Sequence, residues 1–249
     1  MSSFHFCHVW DEEKVPSNFA RAKFIMLYKN KGSPNNPSKY RCIGLLNHEY
    51  KVLSCIILNR LLGVSENFLK DWQAGFREQR GCRDNSMILR TICDKMLSLG
   101  KSIVITFIDY TAAFDSVSHR FIDVALRDAG ATPKVRAMYR AVYESASAYT
   151  TVPTSDGKQV KSDNFNIDRG VVQGDITSPL YFILALELIL RRHDNFPDKG
   201  IPLYGSILHT LGYADDAALL DFGNEEVIAR ASTRVTAIAK GSTADADMN

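Results

Sequence analysis

Cysteine is scarce and poorly placed for cross-linking. The five residues (Cys7, Cys42, Cys55, Cys82 and Cys93) form no C-x-x-C pair, and none lies beyond Cys93. An odd count without paired spacing argues against a disulfide framework or a zinc site, and for buried thiols in a reducing compartment. Long apolar runs are also missing. No stretch reaches the roughly 20 residues that a bilayer-spanning helix needs, and the strongest, from Leu180 to Leu190, carries Glu187. From Met1 to Trp10 there is no basic segment followed by an apolar core, so no secretory signal is read there. Internal repeats and low-complexity blocks are absent, and net charge is only +2. With 45% hydrophobic and 23% charged residues over 249 positions, the composition argues against disorder, collagen and a coiled coil. It suits a globular protein of one large domain or two small ones.

The small net charge conceals a division. From Lys14 to Lys101 there are 16 basic and 6 acidic residues, against 14 basic and 22 acidic in the remainder. A basic segment beside an acidic one suits a surface that meets a polyanion next to a pocket that collects cations. Two ordinary solvated faces would give the same count.

The pattern of residues predicts a mixture of elements. Lys23 to Tyr28 is strand-like, and the Gly-, Pro- and Asn-rich stretch from Lys29 to Lys39 is a loop. Asn47 to Leu62 places Tyr50, Leu53, Ile57 and Leu61 on one helical face. Asp84 is read as the cap of a helix running to Leu99, with Gly100 ending it. Ser102 to Asp109 reads as a strand buried on both faces. Helices follow from Ser118 to Ala129 and from Thr132-Pro133 onward. Ala148 to Asp168 reads as a hairpin around Asp156-Gly157, and Ser178-Pro179 opens an apolar helix to about Arg192. Leu208 to Phe222 reads as two short strands about a tight turn, and Glu225 to Lys240 as an amphipathic helix. Without regular βαβ alternation the expected class is α+β.

Three carboxylates carry the chemistry. Asp109 closes the apolar strand, and Asp215-Asp216 lies between two apolar strand-like segments. Adjacent carboxylates with apolar flanks repel one another at low local dielectric. A divalent cation relieves that cost, and hard oxygen donors favour Mg²⁺ or Mn²⁺. If the two segments lie side by side, three carboxylates can hold two ions. A polar β-turn explains Asp-Asp alone equally well.

At this point the residues resemble the reverse transcriptase domain of LINE-type (non-LTR) retrotransposons. Phe107-Ile108-Asp109-x4-Phe114-Asp115 looks like motif A of that family, Arg169-Gly170-Val171-Val172-Gln173-Gly174-Asp175 like motif B, and Tyr213-Ala214-Asp215-Asp216 like motif C. Upstream, Tyr40-Arg41-Cys42-Ile43-Gly44 and Gln73-Ala74-Gly75-Phe76-Arg77 are similar to two fingers motifs. Cys42 stands where the family usually has Pro, and Ile176-Thr177 replaces the common Pro-Leu.

The resemblance implies a polymerase palm, an antiparallel sheet with packed helices, plus fingers. Fingers are expected over residues 1–100, and a palm over 101–249 with a fingers insertion at about 118–168. The chain is expected to be truncated, with the thumb absent. Asp109, Asp215 and Asp216 are implied as catalytic metal ligands for two Mg²⁺ ions, with Mn²⁺ as a substitute. Tyr110, Phe114, Gln173, Gly174, Lys29 and Arg77 are implied around the nucleotide, and Lys31, Arg41 and Arg80 along the template. Phe114 matches an aromatic that clashes with a ribose 2′-hydroxyl, which is specificity by repulsion. The implied partners are an RNA template, a DNA primer and dNTPs, with no membrane and an intracellular location, nuclear or cytoplasmic. Two functions fit: RNA-directed DNA synthesis, or an inactive truncated remnant that only binds nucleic acid.

Overall fold

The computed structural model describes residues 3–110, 112–153, 156, 158–193, 200–203 and 205–222. The elements run α1 Ser3–Glu12, β1 Arg21–Tyr28, β2 Tyr40–Leu45, α2 His48–Phe68, α3 Cys82–Ser98 and β3 Ile103–Ile108. They continue with α4 Ala113–Ser116, α5 His119–Asp128, α6 Pro133–Glu144, β4 Ser147–Pro153, β5 Gln159–Lys161 and β6 Phe165–Asn166. The last are α7 Ser178–His193, β7 Ile201–Leu203, β8 Ser206–Leu208, β9 Thr210–Tyr213 and β10 Asp216–Phe222. The class is α+β, as the residue pattern predicts. Two compact units form, each from two stretches of chain: Met1–Ser65 with Phe114–Tyr181, and Glu66–Ala113 with Phe182–Asn249. Among the described residues no helix is long and apolar enough to cross a membrane. The amphipathic helix expected over 225–240 lies outside the described residues.

The first unit holds a sheet in the order β2-β1-β4-β5, with β6 also paired to β4. β1 and β2 are antiparallel, Lys23 opposite Leu45 and Tyr28 opposite Tyr40. The loop between them is pinned by its own flanking tyrosines: the Tyr28 hydroxyl donates to the Gly32 carbonyl and the Tyr40 hydroxyl to that of Pro34. β4 joins β1 in parallel and β5 antiparallel. In α2 the stripe Tyr50, Leu53, Ile57 and Leu61 is buried, each side chain contributing roughly 1.5–3 kcal/mol. The helix runs past the expected Leu62 to Phe68, because buried Ser65 and Phe68 prolong the same stripe.

Local capping sets α5 and α6. Ser118 Oγ accepts from the Phe121 N–H, Thr132 Oγ1 accepts from the Val135 N–H, and Pro133 occupies the first turn of α6. Asp123 of α5 accepts from both Arg136 and Arg140 of α6. Gly130, at φ 89°, lets the chain reverse between the two helices.

In the second unit β10 is central in the antiparallel order β3-β10-β9. One set of side chains, Ile103, Ile105, Leu211, Leu220 and Phe222, packs with Ile92 and Met96 of α3 and with Ile201, Leu203 and Leu208 of the β7–β8 hairpin. Ile108, Ala217 and Leu219 form a second cluster with Tyr110.

Two expectations are corrected here. β3 is not buried on both faces: it is an edge strand and Phe107 is 73% exposed. The strand buried through its middle, from Ala217 to Asp221, is β10. Asp84 is not the cap of α3 either. Gly81 is the cap, and Asp84 sits three residues on, its Oδ2 accepting the Gly81 N–H at 2.8 Å. A carboxylate in the first turn also meets the positive end of the helix dipole.

Candidate active site

The register of the second unit brings the three aspartates together. Ile108 pairs with Ala217, so the next residue along each antiparallel strand carries Asp109 alongside Asp216. Asp216 pairs with Tyr213 across a two-residue turn, whose members are Ala214 and Asp215. Burial holds the Asp215 carboxyl above its usual range, and the charges of Asp216 and Asp109 push it the same way, against a backbone hydrogen bond that lowers it. Asp109 and Asp216 also line one open cavity of about 410 Å³, together with Phe107, Tyr213, Cys82 and Leu89. Among the described residues no three His, Cys, Asp or Glu side chains close into a metal-holding group. Repulsion among like charges at one sheet end opposes such closure. In donor chemistry and charge the three carboxylates nevertheless fit hard divalent cations.

The turn that bears Asp215 is held by Gln73, which the sequence offered only as part of a motif string, with no role of its own. Gln73 has 0% exposure. Its Oε1 accepts from the N–H of Ala214 at 3.0 Å and from that of Gly75 at 2.8 Å, while its Nε2 donates to the Ala214 carbonyl at 3.2 Å. One amide thus satisfies both backbone groups of Ala214, which would be costly to bury unpaired. Ala214 has φ 55°, a left-handed conformation uncommon for a residue with a side chain. Such strain persists where the surroundings over-determine it, and Gln73 does so here. Gly75 is required by space: a Cβ on it would stand 2.2 Å from the Ala214 nitrogen. The string Gln-Ala-Gly-Phe-Arg was visible in the sequence, but nothing local told which turn it would clasp. Nearby, Ala74 N–H and Asn85 Nδ2 both donate to the Gly212 carbonyl, so the outer edge of β9 is covered.

Three further expected site residues, Tyr110, Arg77 and Arg80, lie in this unit. Tyr110 packs on the Ile108 cluster, and burial pushes its hydroxyl up to about 12. Arg77, expected at the nucleotide, is 8% exposed, forks onto the Glu66 carboxylate, and donates through Nη1 to the carbonyls of Lys70 and Gln73. Its donors are spent inside the unit. Arg77→Met should therefore lower Tm by roughly 5–10 °C, from about 2–3 kcal/mol of lost charge-assisted bonds and stranded carbonyls. Thermal melting of the purified chain checks this, and an unchanged Tm would show that these bonds do not hold the unit together. Arg80 is more open, but its guanidinium donates to the side chain and carbonyl of Asp71.

The remaining expected residues belong to the first unit. Lys29, Lys31 and Arg41 are exposed on and beside the β1–β2 hairpin. Phe114 is half-buried, its carbonyl accepting from the Val171 N–H. The Gln173 carbonyl accepts from the Gly44 N–H at 2.6 Å, and its side-chain Nε2 donates to Asp115 Oδ1 at 3.1 Å. Gly174, at φ 117°, lies so close to β2 that a Cβ would stand 2.4 Å from the Gly44 oxygen. Behind this segment, buried Asp175 accepts from the hydroxyls of Tyr50 and Thr177.

Comparison with known proteins agrees with these features. A family model described as reverse transcriptase (RNA-dependent DNA polymerase) matches residues 28–244. The Pol polyprotein of the type-1 retrotransposable element R2 from Popillia japonica is 28% identical over 214 residues, covering 83% of this chain and 28% of that protein. The corresponding polyprotein of element R2DM from Drosophila melanogaster is 28% identical over 209 residues, covering 82% and 18%. The chain therefore spans less than a third of the length of these relatives. Among solved structures, apo telomerase from Candida tropicalis superposes with a TM-score of 0.60 at 10% identity, covering 90% of this chain and 42% of that one. Telomerase from Candida albicans, in complex with a fragment of telomeric RNA, gives 0.56 at 13% identity, covering 96% and 43%. At such identity the likeness concerns the fold.

Proposed function

Because the chain belongs to the reverse transcriptase (RNA-dependent DNA polymerase) family, we propose that it extends a primer 3′-hydroxyl with dNTPs against an RNA template, as part of a non-LTR retroelement. The observation that carries this reading is the convergence of Asp109, Asp215 and Asp216 at one end of the β3–β10 pair. Asp109 and Asp215, with Asp216 beside them, are the residues to hold Mg²⁺ or Mn²⁺. Two such ions supply a lowered pKa for the attacking hydroxyl and charge neutralisation at the leaving oxygen. Phe114 excludes ribose, and Gln173 and Gly174 contact the nucleotide. Lys29, Lys31 and Arg41 meet phosphates of the nucleotide and template, which makes binding salt-dependent. Residues 1–100 act as fingers and 101–249 as palm, with 118–168 as a fingers insertion. The reaction belongs inside the cell, in nucleus or cytoplasm.

The test is primer extension on poly(rA)/oligo(dT) with Mg²⁺ or Mn²⁺. Labelled product that disappears on chelation is expected. One alternative is a remnant that only binds nucleic acid. Salt-sensitive RNA binding without extension in either metal would establish that alternative and remove the polymerase reading.

A further inference from the structure

The segment that leads to Gln73 is held by guanidinium groups, and one of them comes from far along the chain. Arg80 donates to the Asp71 carbonyl, Arg77 to those of Lys70 and Gln73, and the Gly212 N–H to that of Trp72. At the start of the segment, the carbonyl of Phe68 accepts from Nη2 of Arg191, 123 positions on in α7. Phe68 is the last residue of α2, and the last carbonyls of a helix have no partner within it. A cation there also meets the negative end of the helix dipole. The Arg191 guanidinium lies over the Phe68 ring, 4.1 Å from its centroid. Its Nε donates to Glu187 Oε1 at 2.6 Å, one helical turn back. Glu187 has 0% exposure, and burial raises its carboxyl above the usual range against the opposing pull of Arg191.

A buried ion pair is a poor source of stability. Desolvation offsets most of the attraction, and apolar side chains of similar volume often serve as well or better. What this pair supplies is direction. Glu187 engages the Nε edge of a planar group, and the Nη2 edge is thereby aimed at Phe68. From Phe68 the chain reaches Gln73 within five residues, and Gln73 clasps both backbone groups of Ala214. We propose that Arg191 is a positioning residue: braced by Glu187, it fixes the start of the segment whose far end seats the Asp215 turn, and so sets the place of a catalytic carboxylate. This deepens the polymerase reading and rests on it for the role of Asp215.

The pair can be removed without opening a hole. In Glu187→Leu with Arg191→Met both charges go and comparable volume stays, so Tm should lie within about 3 °C of the wild type or above it. Hydrogen exchange of single amides in the metal-free chain, followed by NMR, reads the turn directly. The Ala214 N–H, which donates to Gln73, should exchange about tenfold faster in the double variant, the equivalent of one net hydrogen bond lost. The amide of buried Met138 in α6 should be unchanged. Arg191→Lys keeps the cation but has no fork to hold Glu187 and Phe68 together, and should quicken Ala214 exchange about threefold. Extension at saturating dTTP should fall about tenfold in the double variant, since a shifted carboxylate slows the chemical step. Ala214 exchange unchanged in both variants, or raised no more than that of Met138, shows a merely structural pair and overturns the proposal. So does full-rate extension by a chain whose turn exchanges faster. A wild type that extends no primer overturns the polymerase reading instead, while the exchange rates still decide whether Arg191 seats the turn.

Discussion

Asp215→Asn is expected to reduce primer extension about a thousandfold while raising the melting temperature of the metal-free chain. The loss follows from removing an anionic oxygen where charge must be neutralised: several kcal/mol of such stabilisation, at 1.4 kcal/mol per tenfold, is about three orders of magnitude. The gain follows from the reason that the Asp215 carboxyl lies above its ordinary value of 3.8, namely burial first and then the charges of Asp216 and Asp109. The sign is fixed by linkage. A carboxyl raised on folding gives stability that is full below pH 3.8 and is lost as pH rises through the folded value. The variant should therefore melt close to the wild type near pH 4 in EDTA, and above it near pH 7. Extension within threefold of wild type would remove Asp215 from the chemistry, and equal melting at pH 7 would show its carboxylate to be relaxed.

Gly75→Ala should be nearly as damaging, although residue 75 carries no chemistry. The new methyl carbon would lie 2.2 Å from the nitrogen and 2.9 Å from the Cα of Ala214. Both are backbone atoms already clasped by Gln73. The turn has to move, and Asp215 moves with it. Overpacking of this kind costs about 1–3 kcal/mol, and displacing a reacting group by an ångström costs on the order of a hundredfold in rate. Gly63→Ala provides the control. Within α2, nothing lies within 4 Å of its added carbon, so the same chemical change should stabilise by roughly 0.5–1 kcal/mol. Melting curves and extension rates for the pair should diverge in sign for stability. Wild-type activity in Gly75→Ala would mean that the turn is not rigidly seated.

The parts of the fold that were legible in the sequence are those whose cause is local. Ser118 and Thr132-Pro133 cap their own helices, and Gly100 and Gly130 end theirs with positive φ. The apolar stripe of α2 follows from residue spacing alone. The two strands around Ala214-Asp215 were marked by apolar flanks. What escaped depends on distant partners. The spacing of Asp84 before an apolar run gives a helix start but not whether the residue caps or sits three positions in. The β-branched run of β3 suits a central strand, and only pairing reveals that it is an edge. Arg77 reads as one more cation in a basic segment, whereas its environment is a carboxylate and two carbonyls. The Asp115–Gln173 pair joins residues 58 positions apart, and no periodicity announces it.

The clasp on Ala214 has a temporal side. Gln73 and Ala214 are 141 positions apart, and closing so long a loop is entropically slow to be rewarded. On the ribosome the amide of Gln73 is made long before the turn it will hold has left the exit tunnel. After dilution from denaturant, the helical signal should return early, and the ability to extend a primer should lag until these remote stretches have met.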